Sequence, residues 1–189
     1  MPRCSLLAIG NELLNGEIRD LNLHTLSHKL THMGFCVTRA DISPDRIPSI
    51  VSGLEFLLTD QPDVIFCCGG LGPTEDDLTL RAIATAVGCP LEVNPTARDM
   101  VEAQYDALLT EGYLHHRGPE AARVKMAMLP KDAEPLSNPI GTAPGVKVQI
   151  KDTLVYILPG VPAELEAIFD RVVTPQLHRQ FSLGVFREQ

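Results

Sequence analysis

Residues 64–79 read Val-Ile-Phe-Cys-Cys-Gly-Gly-Leu-Gly-Pro-Thr-Glu-Asp-Asp-Leu-Thr, and this stretch constrains the fold more than any other. It opens as an apolar, β-branched run, the pattern of a buried strand. It breaks at Gly69-Gly70, where the backbone can turn without a side chain in the way. Gly72-Pro73-Thr74 continues the loop, three acids follow, and a helical pattern starts near Leu78. A strand feeding a glycine turn and then a helix N-terminus presents free backbone N–H groups and the positive helix end to a phosphate.

Glu75, Asp76 and Asp77 complicate that reading, because carboxylates repel a phosphate at the same helix end. Either they cap the helix and favour its dipole, or a divalent cation such as Mg²⁺ sits between carboxylate and phosphate. The second is preferred for at least one acid, since the glycines have already cleared room for a ligand. Two phosphate loops are excluded. No Gly-Lys-Ser/Thr follows the glycines, and Glu75 stands where a dinucleotide fingerprint needs its third glycine.

A chain of 189 residues suits one domain with room for a small subdomain. The net charge of −8, with no basic run, argues against nucleic acid as a partner. A small anionic ligand must then be held locally, by amides, a few cations or a metal. The five cysteines, Cys4, Cys36, Cys67, Cys68 and Cys89, form no Cys-x-x-Cys pair, which disfavours structural zinc. Their odd number and the lack of a signal peptide fit a cytoplasmic location. No apolar run is long enough for a membrane span.

Along the chain, strands are expected at residues 4–9, 35–40, 64–68 and 153–158. Helices are expected from Asp20 to Met33 and over 47–59, 78–87 and 162 onward, with Pro175 ending or kinking the last. Leu165, Ile168, Phe169 and Val172 form that helix's core stripe. This alternation predicts a doubly wound, mainly parallel sheet, whose ligands lie beyond the strands' carboxyl ends. The loops at Asn11, Asp45 and Gly69 all follow strands and can converge there, although Asp45 could equally cap the next helix. His24, His28 and His32 lie opposite the leucine stripe and read as a solvated face; His115-His116 reads as exposed loop. Residues 95–150 read as an insertion: a helix over 96–109, then half-buried antiparallel strands over 124–129 and 145–150. A Pro- and Gly-rich loop, 138–145, separates those strands. A second strand–glycine–helix unit at Pro159-Gly160 is a further candidate wall of the pocket. The domain is drawn at 1–178, with a tail at 179–189.

Residues 69–79 resemble the signature of the MoaB/Mog molybdopterin-binding superfamily, in the form carried by the CinA N-terminal domain. Asn11-Glu-Leu-Leu-Asn-Gly-Glu17, Asn138-Pro-Ile-Gly-Thr-Ala-Pro-Gly145 and Leu158-Pro-Gly-Val-Pro-Ala-Glu164 resemble three other family stretches, in the family's order. The resemblance implies a three-layer α/β/α fold with a mainly parallel sheet and a homo-oligomer, trimeric in Mog-type and dimeric in CinA-type members. It also implies two functional aspartates, falling on Asp45 and Asp77. In Mog-type members such a pair serves molybdopterin adenylylation. In CinA-type members the domain is implied to hydrolyse the pyrophosphate of ADP-ribose with a divalent metal. Mog-type loops carry a basic residue where this chain has Asp76, which tilts the reading to metal-assisted hydrolysis. CinA proteins continue into a deamidase domain that these residues do not include.

Three functions stay open: a metal-dependent ADP-ribose pyrophosphatase, a molybdopterin-binding or adenylylating protein, and a non-catalytic module. For the first, Asp45, Asp76 and Asp77 are the catalytic candidates, with Asp45 and Asp77 as metal ligands. Gly69, Gly70, Leu71, Gly72 and Thr74 would cradle phosphate. Asn11, Glu12, Asn138, Gly141, Thr142, Pro159 and Gly160 would line the remainder.

Overall fold

The structure, a computed structural model, describes residues 1–183. Its elements are β1 (Arg3–Ile9), α1 (Asn11–Leu14), α2 (Asn22–His32), β2 (Cys36–Ser43), α3 (Ile47–Leu58), β3 (Val64–Cys68) and α4 (Thr79–Val87). These are followed by β4 (Leu91–Val93), α5 (Pro95–Thr110), α6 (Glu120–Met126), β5 (Met128–Pro130), β6 (Glu134–Leu136), β7 (Gly145–Ile150) and β8 (Thr153–Leu158). The last described elements are α7 (Pro162–Ile168), a π-helical turn (Phe169–Val173) and α8 (Thr174–Gln180).

Six strands form one sheet in the order β2-β1-β3-β8-β7-β6. β2, β1, β3 and β8 run parallel, while β7 and β6 add an antiparallel edge. Alternation along the strands divides the core in two. Leu7, Ile9, Ile65, Cys67, Val155 and Ile157 face α3, α4 and α5. Leu6, Ala8, Phe66, Cys68, Tyr156 and Leu158 face α2, α7 and the π-turn. Strands buried on both faces read as continuous apolar runs, so β1, β3 and β8 were visible in the sequence. On the second face Phe66 stacks on Tyr156 at 5.3 Å between ring centres and tilts against Phe169 at 5.7 Å. The three-layer α/β/α architecture is thereby established.

The chain leaves β1 toward β2 on one side and reaches β3 on the other, so the sheet's switch point lies at the carboxyl ends of β1 and β3. The glycine loop follows β3, which puts it at that point.

Three expectations need correction. The strand expected over 124–129 is instead the end of α6 and the start of β5. The Glu-Ala-Ala-Arg run ahead of it is strongly helix-forming, and Glu120 in the first turn suits the dipole. β5 pairs with β4 as a separate two-stranded sheet, so only β6 and β7 of the insertion join the main sheet's edge. At the C-terminal helices, Val173 and not Val172 is fully buried. The Thr174 N–H reaches back to Phe169 O, a five-residue turn that adds one residue and rotates the buried face. The chain then continues helically through Pro175, because the widened turn absorbs its missing N–H. Of the expected tail, Arg179 and Gln180 belong to α8 and Phe181 packs edge-on to Phe35; residues 184–189 lie outside the described residues.

The histidines of α2 are exposed, as expected; His24 stacks on His28, and His28 is tilted against His32. Among the described residues no helix is long and apolar enough to cross a membrane. Cys4, Cys67 and Cys68 are buried, and burial pushes the Cys4 and Cys67 thiols up to about 12, with Cys68 raised too. They act as small core hydrophobes.

Candidate functional site

The loop between β3 and α4 is built on two left-handed glycines. Gly69 has φ of 107° and Gly70 of 65°. A side chain at Gly69 would strike the carbonyl of Ile9, at the end of the neighbouring β1. The turn is pinned from below by Thr79, fully buried, whose hydroxyl donates to Gly69 O at 2.8 Å. On its other flank lies the second glycine turn. Gly69 N donates to Leu158 O at 3.1 Å, and a Cβ on Gly160 would stand 3.3 Å from Gly69 Cα. Asn22, in the first turn of α2, holds that second turn through Nδ2 to Gly160 O at 2.8 Å. The convergence of the glycine loops is thus a matter of backbone lying on backbone.

The acids do not cap α4: its N-cap is Leu78, with no side-chain cap bond. Asp77 instead folds back over Gly72, where a Cβ would sit 2.7 Å from Oδ2. That oxygen accepts the Thr74 amide at 2.8 Å and the Thr74 hydroxyl at 2.7 Å. Thr74 therefore spends both its donors on Asp77 and shapes the loop, where the sequence reading had it cradling phosphate. Asp76 is exposed and borders neither cavity described below.

A residue absent from the sequence reading closes the loop. Lys125, on α6, sends its ammonium to the carbonyls of Gly72 (3.1 Å), Asp77 (2.9 Å) and Thr74. Burial, seconded by the charge of Arg81, lowers its pKa from the ordinary lysine value, while Asp77 and Asp76 pull the other way. With residues 124–129 read as a strand, no signal pointed Lys125 at a loop about fifty residues earlier. Replacing it by Met leaves three carbonyls to water on a half-exposed loop. The expected cost is about 2 kcal/mol, which for a chain of this size lowers Tm by roughly 4–8 °C. Thermal unfolding checks this, and hydrogen exchange should quicken at residues 72–77 specifically; unchanged exchange there would remove the clamp.

Two cavities flank the loop and share Gly70, Leu71, Gly72 and Asp77. One, of about 470 Å³, is walled by Leu78, Leu80, Leu91 and Met128 with Arg81, Lys125 and Glu75 at its polar side. The other, of about 340 Å³, lies toward the second glycine turn and is completed by Thr142, Pro159, Gly160 and Glu164. Glu164 belongs to the Leu-Pro-Gly-Val-Pro-Ala-Glu turn but had been assigned no role.

The structure does not bring every candidate to these cavities. Asp45 borders neither; its Oδ2 accepts the Asn11 amide at 2.7 Å, and Asn11 Oδ1 faces the Asp45 amide at 3.4 Å. The cause is strand order. β2 lies on the far side of β1 from β3, so the loops carrying Asp45 and Asp77 leave strands roughly 10 Å apart. Nor does Asp45 cap α3, whose N-cap is Arg46. Glu12 folds over Gly10 beside this tie. Asn138 is buried and saturated: Nδ2 donates to Ala143 O (2.8 Å) and Glu164 Oε2 (2.7 Å), and Oδ1 accepts Ile140 N (3.1 Å) and Gly141 N (2.9 Å). It has no valence left for a ligand. Gly141 is bare because the Glu164 carboxylate lies where its Cβ would be.

Among the described residues no group of three or more His, Cys, Asp or Glu side chains is placed to hold one metal ion. A cation at this loop would need ligand oxygens in addition to protein carboxylates.

This fold, with ligand-sized cavities at a glycine loop on the switch point, defines a class. A family model described as a probable molybdopterin binding domain matches residues 5–179, and the chain belongs to that MoaB/Mog family. Within it the chain is CinA-like. The crystal structure of CinA from Thermoplasma acidophilum matches with a TM-score of 0.80 at 32% identity, over 92% of this chain and 96% of that one. The molybdopterin biosynthesis enzyme MoaB of Thermus thermophilus shares the fold, with a TM-score of 0.63 at 20% identity over 95% and 94% of the two chains. A protein of Aeropyrum pernix is 42% identical over 179 residues, and the chain spans 63% of its length. One of Thermococcus kodakarensis is 38% identical over 175 residues, with 70% of its length spanned.

Proposed function

We propose that the chain binds a phosphorylated nucleotide at the loop of residues 69–77 and hydrolyses its pyrophosphate bond with the help of a divalent cation, ADP-ribose being the candidate substrate. The observation that carries this reading is the smaller cavity. It joins the backbone of Gly70, Gly72 and Gly160 to the Asp77 carboxylate, which forms no salt bridge among the described residues. A hard divalent cation accepts such oxygens and leaves coordination positions for phosphate. It would polarise the phosphoryl group. Asp45, tied to Asn11 on the adjoining loop, would face the ligand's more distant end, and a second copy of the chain would complete the assembly.

A second reading, binding or adenylylation of molybdopterin, is favoured by the family match. The same loop would then grip the terminal phosphate of the pterin. The test is a thermal-shift panel of ADP-ribose, AMP and a phosphorylated pterin, each with and without Mg²⁺, paired with a turnover assay on ADP-ribose. A ligand at 100 times its Kd adds about 2.7 kcal/mol to the native state. The expected result is a Mg²⁺-dependent shift with ADP-ribose together with release of AMP. A shift with the pterin alone, without turnover, moves the assignment to the second reading. No shift with any of the three would end both.

A further inference from the structure

We infer that Glu164 is a catalytic residue of this site, the base that takes the proton of the attacking water. The inference rests on the hydrolytic reading above and adds a role that the four sequence stretches left blank.

Its position argues the case. Glu164 opens α7, in that helix's first turn, and borders the smaller cavity together with Asp77. Each carboxylate lies over a glycine that could carry no side chain without colliding with it: Gly72 beneath Asp77 and Gly141 beneath Glu164. Gly72, which reads as room for phosphate, and Gly141, which reads as pocket lining, are therefore room for carboxylates. The two then divide the work by what holds them. Asp77 is bound through Oδ2 by the Thr74 amide and hydroxyl, inside the loop that borders both cavities. Glu164 is oriented by one donor only, Asn138 Nδ2 on Oε2, and Asn138 is itself fixed at all four of its polar valences. Oε1 of Glu164 has no protein donor among the described residues. No lysine or arginine pairs with Glu164 there either. A carboxylate oriented at one oxygen by a hydrogen bond and free at the other on a cavity wall is what a general base requires.

The step balances with water alone. The water oxygen adds to one phosphorus of the pyrophosphate while its proton passes to Oε1. The bond from that phosphorus to the bridging oxygen breaks, and the bridging oxygen leaves on the neighbouring phosphate. Two phosphomonoesters result, and Glu164 returns its proton to solvent.

The test is Glu164→Gln in the full chain. Glutamine keeps a carbonyl for Asn138, so the loop should survive and the Mg²⁺-dependent shift with ADP-ribose should match the parent's. Turnover should fall by about 100-fold or more. Equal turnover in parent and variant overturns the role. So does a variant that loses binding and turnover together, since that marks Glu164 as structural. A parent that binds nothing and turns nothing over removes the site reading itself, and this role with it. A parent that is active beside an equally active variant removes the role alone.

Discussion

An Asp77→Asn chain should fold like the parent, yet bind ADP-ribose more weakly at a given Mg²⁺ concentration and turn it over on the order of 10²–10³-fold more slowly. The substitution is chosen for what it preserves. Oδ2 of Asp77 accepts two donors from Thr74, and an asparagine carbonyl can accept the same two. The side chain still fits over Gly72 and the Lys125 clamp is untouched, because Lys125 bonds the main-chain oxygen of residue 77. Only the negative charge goes, and with it the affinity for a divalent cation. Turnover measured against rising Mg²⁺ should therefore show a higher metal requirement as well as a lower ceiling, while Tm stays within about 1 °C of the parent, as for a surface change that keeps its hydrogen bonds. Parent-like turnover at every Mg²⁺ concentration would remove Asp77 from the chemistry.

How far the sequence led can be judged on the same residues. β1, β3 and β8 were legible because a strand buried on both faces is a continuous apolar run, and nothing else of that length competes with it. The glycine loop was legible because two adjacent glycines before a helix have few other uses. The partners of that loop were not. Asp45 and Asp77 both lie in loops that follow strands, and periodicity cannot say that β1 comes between those strands. Local patterns carry no strand order. Lys125 was lost for a related reason. A seven-residue helix and a three-residue strand share residues 120–130, too short for either period to show, and the lysine's target is set by how α6 packs. Glycines misled in a third way. Gly72 is bare, as a phosphate cradle would be, and Gly141 as a pocket wall would be, but the atoms in the freed space belong to Asp77 and Glu164. A bare Cα position says that something approaches; it does not say what.

The largest stability effect should come from Gly69→Ala, and a partner substitution isolates its cause. At φ of 107° an L-residue is strained, by about 1–2 kcal/mol. Gly112, at φ of 79°, has the same handicap but nothing within 4 Å of a built Cβ. Gly112→Ala should therefore cost only the strain. At Gly69 the added carbon also meets the carbonyl oxygen of Ile9, which belongs to a buried strand paired on both sides. That oxygen cannot retreat without pulling β1 out of register with β2 or β3. Overpacking of this kind adds about 1–3 kcal/mol, for a total of about 2–5 kcal/mol, a large part of the 5–15 kcal/mol that holds an ordinary domain together. Gly69→Ala is thus expected to unfold roughly 4–20 °C below the parent and Gly112→Ala no more than about 2–8 °C below it. Paired thermal melts decide the matter. Equal losses at the two sites would mean that backbone strain alone fixes the glycine, and that β1 does not press on the loop as closely as the structure has it.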